Sequence, residues 1–137
     1  MGLVIPKVGE IELLNKMLIA ALSTDEDYVL RLYSNNIAPN SESIASSFNE
    51  ATFAGYAPKV LTRAGWSFPT TVSDTAQTSY SQQSWTCAGL GETIYGYYVV
   101  GANSGTLLWA EEFEFSKLVS STDVLNLVPT FSFASQN

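Results

Sequence analysis

The chain has 137 residues and a net charge of −7, with 46% apolar and 14% charged residues. Its length is that of one ordinary domain, which can bury a core without disulfide or metal staples. The six basic residues are scattered, so they form no stripe that could bind phosphates, and the acidic balance disfavours anionic membrane surfaces. We therefore predict no nucleic-acid and no membrane partner.

The charged fraction is also well below the ~25% of an ordinary domain. A monomer needs surface charge to stay apart from its copies, so a charge-poor chain indicates a surface that other proteins partly cover. A Ser- and Thr-rich β surface that contacts nothing would have the same composition. Composition alone leaves both interpretations open.

Residues 1–7 form an apolar arm ahead of the first regular element. Leu3, Val4 and Ile5 are consecutive apolar residues, and Pro6 ends the run. A free terminus of this kind is normally disordered and would expose apolar side chains to water. We predict that these four residues form an assembly contact, in which the arm adds as a strand to a neighbouring subunit. The alternative is an extra strand in the chain's own sandwich.

Residues 8–23 carry the helical pattern of the sequence. Apolar residues recur there at helical spacing in a wide arc, and Glu12 and Lys16 form a favourable i,i+4 pair. We predict a helix whose apolar arc covers the sandwich and whose Glu12–Lys16 pair faces outward. The apolar positions of the arc are Ile11, Leu13, Leu14, Met17, Leu18, Ala20 and Ala21.

From residue 28 onward the apolar period changes to two, which is typical of β-strands. Residues 28–33 predict the first strand, and Pro58 marks an edge strand, a bulge or a bend, because proline cannot donate a ladder hydrogen bond. Residues 93–100 are apolar on both faces, as a central strand is. The loop 101–105 that follows has glycine at each end and predicts a hairpin.

Two further runs alternate apolar and polar residues. In the first run the residues predicted to face inward are Leu107, Trp109, Phe113 and Phe115. In the second run, over 123–133, they are Leu125, Leu127, Phe131 and Phe133. Six to eight strands with short turns predict that 1–137 is a single, mainly β domain. It would be an antiparallel β-sandwich or jelly roll over 28–133 with one N-terminal amphipathic helix.

Residues able to carry chemistry are few. Histidine is absent and Cys87 is the only cysteine, which removes Ser-His-Asp and Cys-His arrangements, His-containing metal sites and thiolate clusters. Cys87 lies in a strand-like stretch and is predicted to be a buried, inert thiol. The acidic run 25–27 could bind calcium, but we favour a polar turn after the helix. We predict no catalytic residue, no cofactor and no metal.

Glutamates and tryptophans supply two alternatives. Glu111, Glu112 and Glu114 could form the carboxylate pair of a glycosidase, but the alternation places Glu112 and Glu114 on the outward face. Aromatic side chains could instead stack on sugars. Trp85 and Trp109 lie at core positions of their strands, so we predict that both are core residues. The third tryptophan, beside a glycine and close to a proline, is expected near a loop.

Three segments follow the predicted helix in a familiar order. They are 50–57 (EATFAGYA), 84–87 (SWTC) leading into 93–98 (TIYGYY), and 105–111 (GTLLWAE). With the helix, and over roughly residues 8–133, they resemble small virion structural proteins of tailed bacteriophages and cyanophages. The resemblance implies a β-sandwich that attaches to a larger virion assembly, without specifying capsid, neck or tail.

The resemblance and the missing catalytic groups lead to one expected function. We expect a capsid cement or decoration protein, a homo-oligomer such as a trimer, that binds major capsid protein and stabilises the assembled shell by mass action. The alternative is an adhesion or receptor-binding module of the tail, baseplate or fibre, and a glycan-acting enzyme ranks third. The apolar stretch 17–22 is too short for a signal peptide, so we expect synthesis in the host cytoplasm and final location in the virion.

Overall fold

The structure is a computed structural model that describes residues 2–19, 26–73 and 75–134. The described part of the chain is mainly β, with strands at 43% and helix at 14%. Every strand pairing within the described ranges is antiparallel, and the α-helix found there lies at the N-terminus. The predicted fold class, an antiparallel β-sandwich with one N-terminal helix, is confirmed.

Helix α1 spans Lys7–Leu18 rather than the predicted 8–23. Pro6 precedes it with extended backbone angles, and the N–H of Lys7 donates to the Ser41 carbonyl oxygen at 3.0 Å. The helix ends because Ile19 leaves the helical region, at φ −133° and ψ 81°. No glycine or proline follows Leu18 closely enough to signal this end in the sequence. Residues 20–23 lie outside the described residues.

Nine strands lie in the described ranges and form three sheets. They are β1 (Tyr28–Tyr33), β2 (Lys59–Leu61), β3 (Thr70–Val72), β4 (Thr75–Ser79), β5 (Gln83–Thr86), β6 (Glu92–Gly101), β7 (Leu107–Val119), β8 (Val124–Leu127) and β9 (Thr130–Ala134). The strand orders are β2-β1-β6-β7, β3-β4-β9 and β5-β8. The predicted first and central strands are β1 and β6. β2, which follows Pro58, is an edge strand, one of the arrangements predicted for it.

The four-stranded sheet is buried on both faces, since β1 and β6 carry apolar residues at successive positions. Leu30 pairs with Val99 and Leu32 with Tyr97, and all four belong to a core that also contains Trp85 of the second layer. The opposite face is covered by a second core cluster. Its members are Tyr33, Phe48, Tyr98, Val100, Leu107 and Ala110.

The run 123–133 forms two strands in two sheets, and not the single alternating strand that the sequence predicts. β8 pairs with β5, and β9 pairs with β4, with the buried Pro129 between them. A proline has no N–H for a ladder hydrogen bond, so the pairing changes there. Leu125 is buried as predicted, whereas Phe133, predicted to face inward, is 54% exposed.

Strand β7 changes character along its length. Its first four residues, 107–110, are all buried, so the predicted alternation of inward and outward side chains does not apply to them. Residues 114–118 are all exposed, among them Phe115, which was expected to face inward. The register between β6 and β7 shifts between Ile94 and Gly96, and such irregularities redirect the side chains of a strand. The exposed stretch 114–118 is followed by the buried Val119, which returns the end of β7 to the core.

Candidate contact surfaces and an aromatic pocket

The N-terminal arm lies on the chain's own sheet. Val4 exchanges two backbone hydrogen bonds with Ala110: its N–H donates to the Ala110 carbonyl oxygen at 2.8 Å, and its carbonyl oxygen accepts from the Ala110 N–H at 2.9 Å. Leu3 and Ile5 pack against the central core, and Pro6 is fully buried. The arm is therefore not free in the single chain, because the edge of β7 offers it unpaired backbone groups. A contact of these four residues with another subunit stays a prediction.

The face of α1 that meets the rest of the protein includes its charged pair, Glu12 and Lys16, beside the apolar Val8 and Leu13. Gly9 approaches β7 so closely that a Cβ atom there would lie 2.2 Å from the Leu108 carbonyl oxygen. Lys16 Nζ lies 3.4 Å from a Glu12 oxygen and 3.3 Å from a Glu26 oxygen. The side chains of Lys16, Glu12 and Glu26 are only 16%, 15% and 0% exposed. The prediction that the Glu12–Lys16 pair faces outward is wrong, because the buried Glu26 carboxylate draws Lys16 inward.

The opposite face of α1 is apolar and exposed. Most of the arc that the sequence assigns to the core lies in solvent. The exposed fractions are 60% at Ile11, 55% at Leu14, 73% at Met17, 72% at Leu18 and 49% at Ile19, just beyond the helix. Single exposed apolar residues are ordinary, whereas a contiguous row marks an interaction site. We call these five residues the outer stripe of α1. The predicted arc members Ala20 and Ala21 lie outside the described residues.

Glu26 joins α1 to the turn between β6 and β7. One of its carboxylate oxygens accepts hydrogen bonds from the N–H groups of Asn103 (2.7 Å) and Ser104 (2.8 Å). Burial by itself would raise the pKa of Glu26. The hydrogen bonds from Ser104, Asn103 and Lys16 outweigh burial, because they favour the charged form, and they hold the pKa below its usual value. The carboxylate is thus a charged, structural group at neutral pH.

The acidic run 25–27 serves the fold wherever the structure describes it. Asp27 accepts a hydrogen bond from the backbone N–H of Arg63 at 2.9 Å, and Glu26 is engaged with the turn and with Lys16. Asp25 lies outside the described residues. Within residues 2–19, 26–73 and 75–134, no three acidic or cysteine side chains are grouped so that they could hold a metal ion.

The three glutamates of β7 lie in different environments. Glu111 accepts a hydrogen bond from the Tyr97 hydroxyl at 2.9 Å, and burial together with the Glu111 charge raises the pKa of Tyr97. Glu112 is half-buried and Glu114 is exposed. Glu112 and Glu114 were both predicted to face outward, and of the two only Glu114 is fully exposed. That the chain is not an enzyme stays a prediction.

Two tryptophans and the cysteine that the sequence places in the core are buried. Trp85 is 2% exposed, and its indole N–H donates to the Ala57 carbonyl oxygen at 2.7 Å. Trp109 is 4% exposed. Cys87 is 1% exposed, and its thiol lies 3.4 Å from the Gly89 carbonyl oxygen. Both predicted core tryptophans and the predicted buried thiol are confirmed.

A small aromatic pocket lies where α1 meets the strands. Its lining residues are Leu13, Tyr28, Trp66, Thr78, Trp109 and Phe131, and its volume is about 190 Å³. Trp66 is half-buried, and its indole N–H has no hydrogen-bond partner among the described residues. Typical small-molecule sites have roughly 300–1,000 Å³, so this pocket has room for a single ring or a single side chain. The sequence drew attention to the tryptophans as candidate sugar-binding residues. It did not predict this pocket, because two of its lining residues, Thr78 and Phe131, come together only through the pairing of β4 with β9.

No protein-family model matches the chain, and no curated protein matches it. The resemblance to virion structural proteins therefore stays a prediction from the sequence. Among the described residues, no helix has the length and hydropathy needed to cross a membrane.

Proposed function

We propose that this chain is a non-enzymatic virion structural protein, a cement or decoration protein that attaches to major capsid protein. The observation that carries the proposal is the apolar outer surface of a charge-poor chain. Besides the outer stripe of α1, Phe68 is 92% exposed, Leu90 87% and Phe115 77%. Only 14% of the residues are charged, so little charge offsets these side chains.

Such a surface suits a subunit of a larger assembly. Contiguous exposed apolar residues promote association, and a free monomer normally avoids them. Contacts that form only in the complete shell stabilise that shell, because they shift the equilibrium towards it. The choice of a virion rests on the sequence resemblance, and the choice of the capsid over the neck or tail is what the experiment below decides.

The test is the position of the protein on purified particles of the phage that encodes it. Immunogold labelling with an antibody against the purified chain, viewed in negative stain, should decorate the whole shell. Pre-absorption of the antibody with the purified chain is the control and should remove the label. Gold confined to one vertex or to the tail would contradict the capsid assignment. Intact particles without gold would contradict a role in the virion.

A second candidate is an adhesion or receptor-binding module of the tail, baseplate or fibre, and the aromatic pocket favours it. The half-buried rings of Tyr28 and Trp66 line that pocket, and aromatic rings stack on the apolar faces of sugars. If this candidate holds, nuclear magnetic resonance titration with a panel of glycans should shift the Trp66 indole signal. Trp66→Ala should remove the binding while Phe68→Ala, at a neighbouring exposed ring, should not. An unchanged spectrum across the panel would contradict this candidate.

A further inference from the structure

We infer that two copies of the chain pair through the outer stripe of α1, with the two helices antiparallel about a twofold axis. The inference goes beyond the proposed function: it assigns the outer stripe to a second copy, which leaves the exposed Phe68, Leu90 and Phe115 for contacts with other proteins of the assembly.

The part of the chain that the structure describes leaves the stripe uncovered. Gly9 lies against the backbone of Leu108, and Lys16 reaches the buried carboxylate of Glu26, so the opposite face of α1 is attached to the protein body. Rotating α1 to bury the stripe would leave Glu26 buried without Lys16 and would drive a side chain other than glycine into β7. Among residues 2–19, 26–73 and 75–134, nothing covers the stripe, and the seating of α1 keeps it turned away from them.

The spacing and area of the stripe match a helix-pairing surface. Ile11, Leu14 and Leu18 stand at i, i+3 and i+7, the spacing of a coiled-coil seam, and Met17 flanks them. The five exposed side chains present on the order of 400–500 Å² of apolar surface. A standard interface buries about 800 Å² per partner, of which about 60% is apolar, so the stripe supplies roughly the apolar share of one.

Charge favours a second copy as the occupant. Glu12 and Lys16 face inward, so the stripe from Ile11 to Ile19 presents no charged side chain and calls for an equally uncharged surface. An identical stripe provides such a surface, and homodimers usually pair identical patches about a twofold axis.

Charge also sets the relative direction of the two helices. Glu10 is exposed at the N-terminal end of the stripe. Parallel helices would place the two Glu10 carboxylates side by side, whereas antiparallel helices separate them by about 12 Å, at 1.5 Å rise per residue. Salt screens charges over that distance, and antiparallel helix dipoles attract each other. The twofold axis then passes near Leu14.

Sedimentation velocity of the full chain at about 100 μM tests the pairing. The wild type should sediment as a dimer, and raising the salt should strengthen pairing because both copies carry a charge of −7. Leu14→Glu should weaken dimerisation at least about tenfold, since it places two carboxylates at the axis. Leu90→Glu makes the same change at an exposed leucine elsewhere and should leave it unchanged. A monomeric wild type, a trimer, or a Leu14→Glu variant that dimerises normally would overturn the inference.

Oxidative cross-linking keeps the test independent of how the charged variant folds. Leu14→Cys should yield a covalent dimer under mild oxidation, because the two residues face each other across the axis, whereas the native Cys87 is buried. Leu90→Cys is the matched control and should run as a monomer on a gel without reducing agent. Failure of Leu14→Cys to cross-link, or efficient cross-linking of Glu10→Cys, would overturn the antiparallel arrangement. Labelling of virions is unaffected by either result, so failure here and failure of the proposed function are separate outcomes.

Discussion

The central sheet and α1 differ in how their apolar pattern relates to burial. In β1 and β6 the apolar positions are buried or half-buried, as their pattern predicts. In α1 four of the five described residues of the apolar arc are exposed, and Glu12 and Lys16 turn towards the body. A periodic pattern thus identifies an apolar face, but it does not tell whether that face meets the same chain or another one.

The difference has a physical origin in what holds each element. A strand inside a sheet is fixed by ladder hydrogen bonds on both sides, so its two faces necessarily meet the two layers of the sandwich. α1 has no ladder and is oriented by a few specific contacts, chiefly Gly9 against β7 and Lys16 with Glu26. Substitutions at these contacts and substitutions in the sheet should therefore have different effects on stability.

The largest expected effect belongs to the sheet. Trp109→Ala should lower the free energy of unfolding by about 3–5 kcal/mol, because it leaves a cavity where a nearly fully buried ring packs against Phe131 at 4.6 Å between centroids. Urea denaturation followed by circular dichroism measures the loss. Phe115→Ala, at an exposed ring on the same strand, is the control and should change stability by less than about 1 kcal/mol. Similar losses in both variants would contradict the difference between the buried start of β7, 107–110, and its exposed stretch, 114–118.

Glu26→Gln should cost about 3 kcal/mol at neutral pH, since the largely buried Lys16 would lose the fully buried one of its two carboxylate partners and keep only Glu12. Glu114→Gln makes the same change at an exposed position and should cost less than about 0.5 kcal/mol. Urea denaturation of both variants beside the wild type provides the comparison. Equal stability of Glu26→Gln and the wild type would show that this ion pair does not orient α1.

The stability difference between the wild type and Glu26→Gln should depend on pH. The pKa of Glu26 in the folded chain is lowered from 4.5, so its carboxylate stabilises the fold above the unfolded pKa. That contribution is lost as the pH falls below 4.5 and through the lower folded pKa. The stability difference between wild type and Glu26→Gln should therefore shrink between neutral pH and acid. A difference that grows on acidification would contradict the assigned direction of the shift.

Gly9→Ala should destabilise the chain by about 1–3 kcal/mol, because the new methyl group would meet backbone atoms of Leu108 that cannot move aside cheaply. The sign is diagnostic, since alanine in place of glycine inside an exposed helix stabilises by about 1 kcal/mol. Gly2→Ala is the control, because no atom lies within 4 Å of its added Cβ. A more stable Gly9→Ala variant, measured by thermal melting, would show that α1 is not seated on β7.

The smallest effect is expected on the outer stripe. Leu14→Gln should change the stability of the monomer by less than about 0.5 kcal/mol, since the side chain is 55% exposed and glutamine is a good helix former. The measurement needs a dilute sample, near 1 μM, so that pairing does not contribute. A loss of about 2–5 kcal/mol, as for a buried leucine, would place the stripe inside the chain's own core.

The local sequence pattern was enough to predict the class of fold and several of its elements. The period-two runs predicted β1 and β6, and the bulk and position of Trp85 and Trp109 predicted their burial. The sequence pattern predicted the candidate contact surfaces less well. It identified the apolar residues of α1 but assigned them to the core, and it left two positions open for the arm.

The sequence by itself thus determined a mainly β chain with an N-terminal amphipathic helix, because periodicity and residue size are properties of neighbouring residues. Only the tertiary structure decided which face of α1 points outward, where the arm lies and where 123–133 divides. Each of these depends on residues far apart in the chain, such as Val4 with Ala110 and Lys16 with Glu26. Such contacts form only once the strands have paired, so no local pattern encodes them.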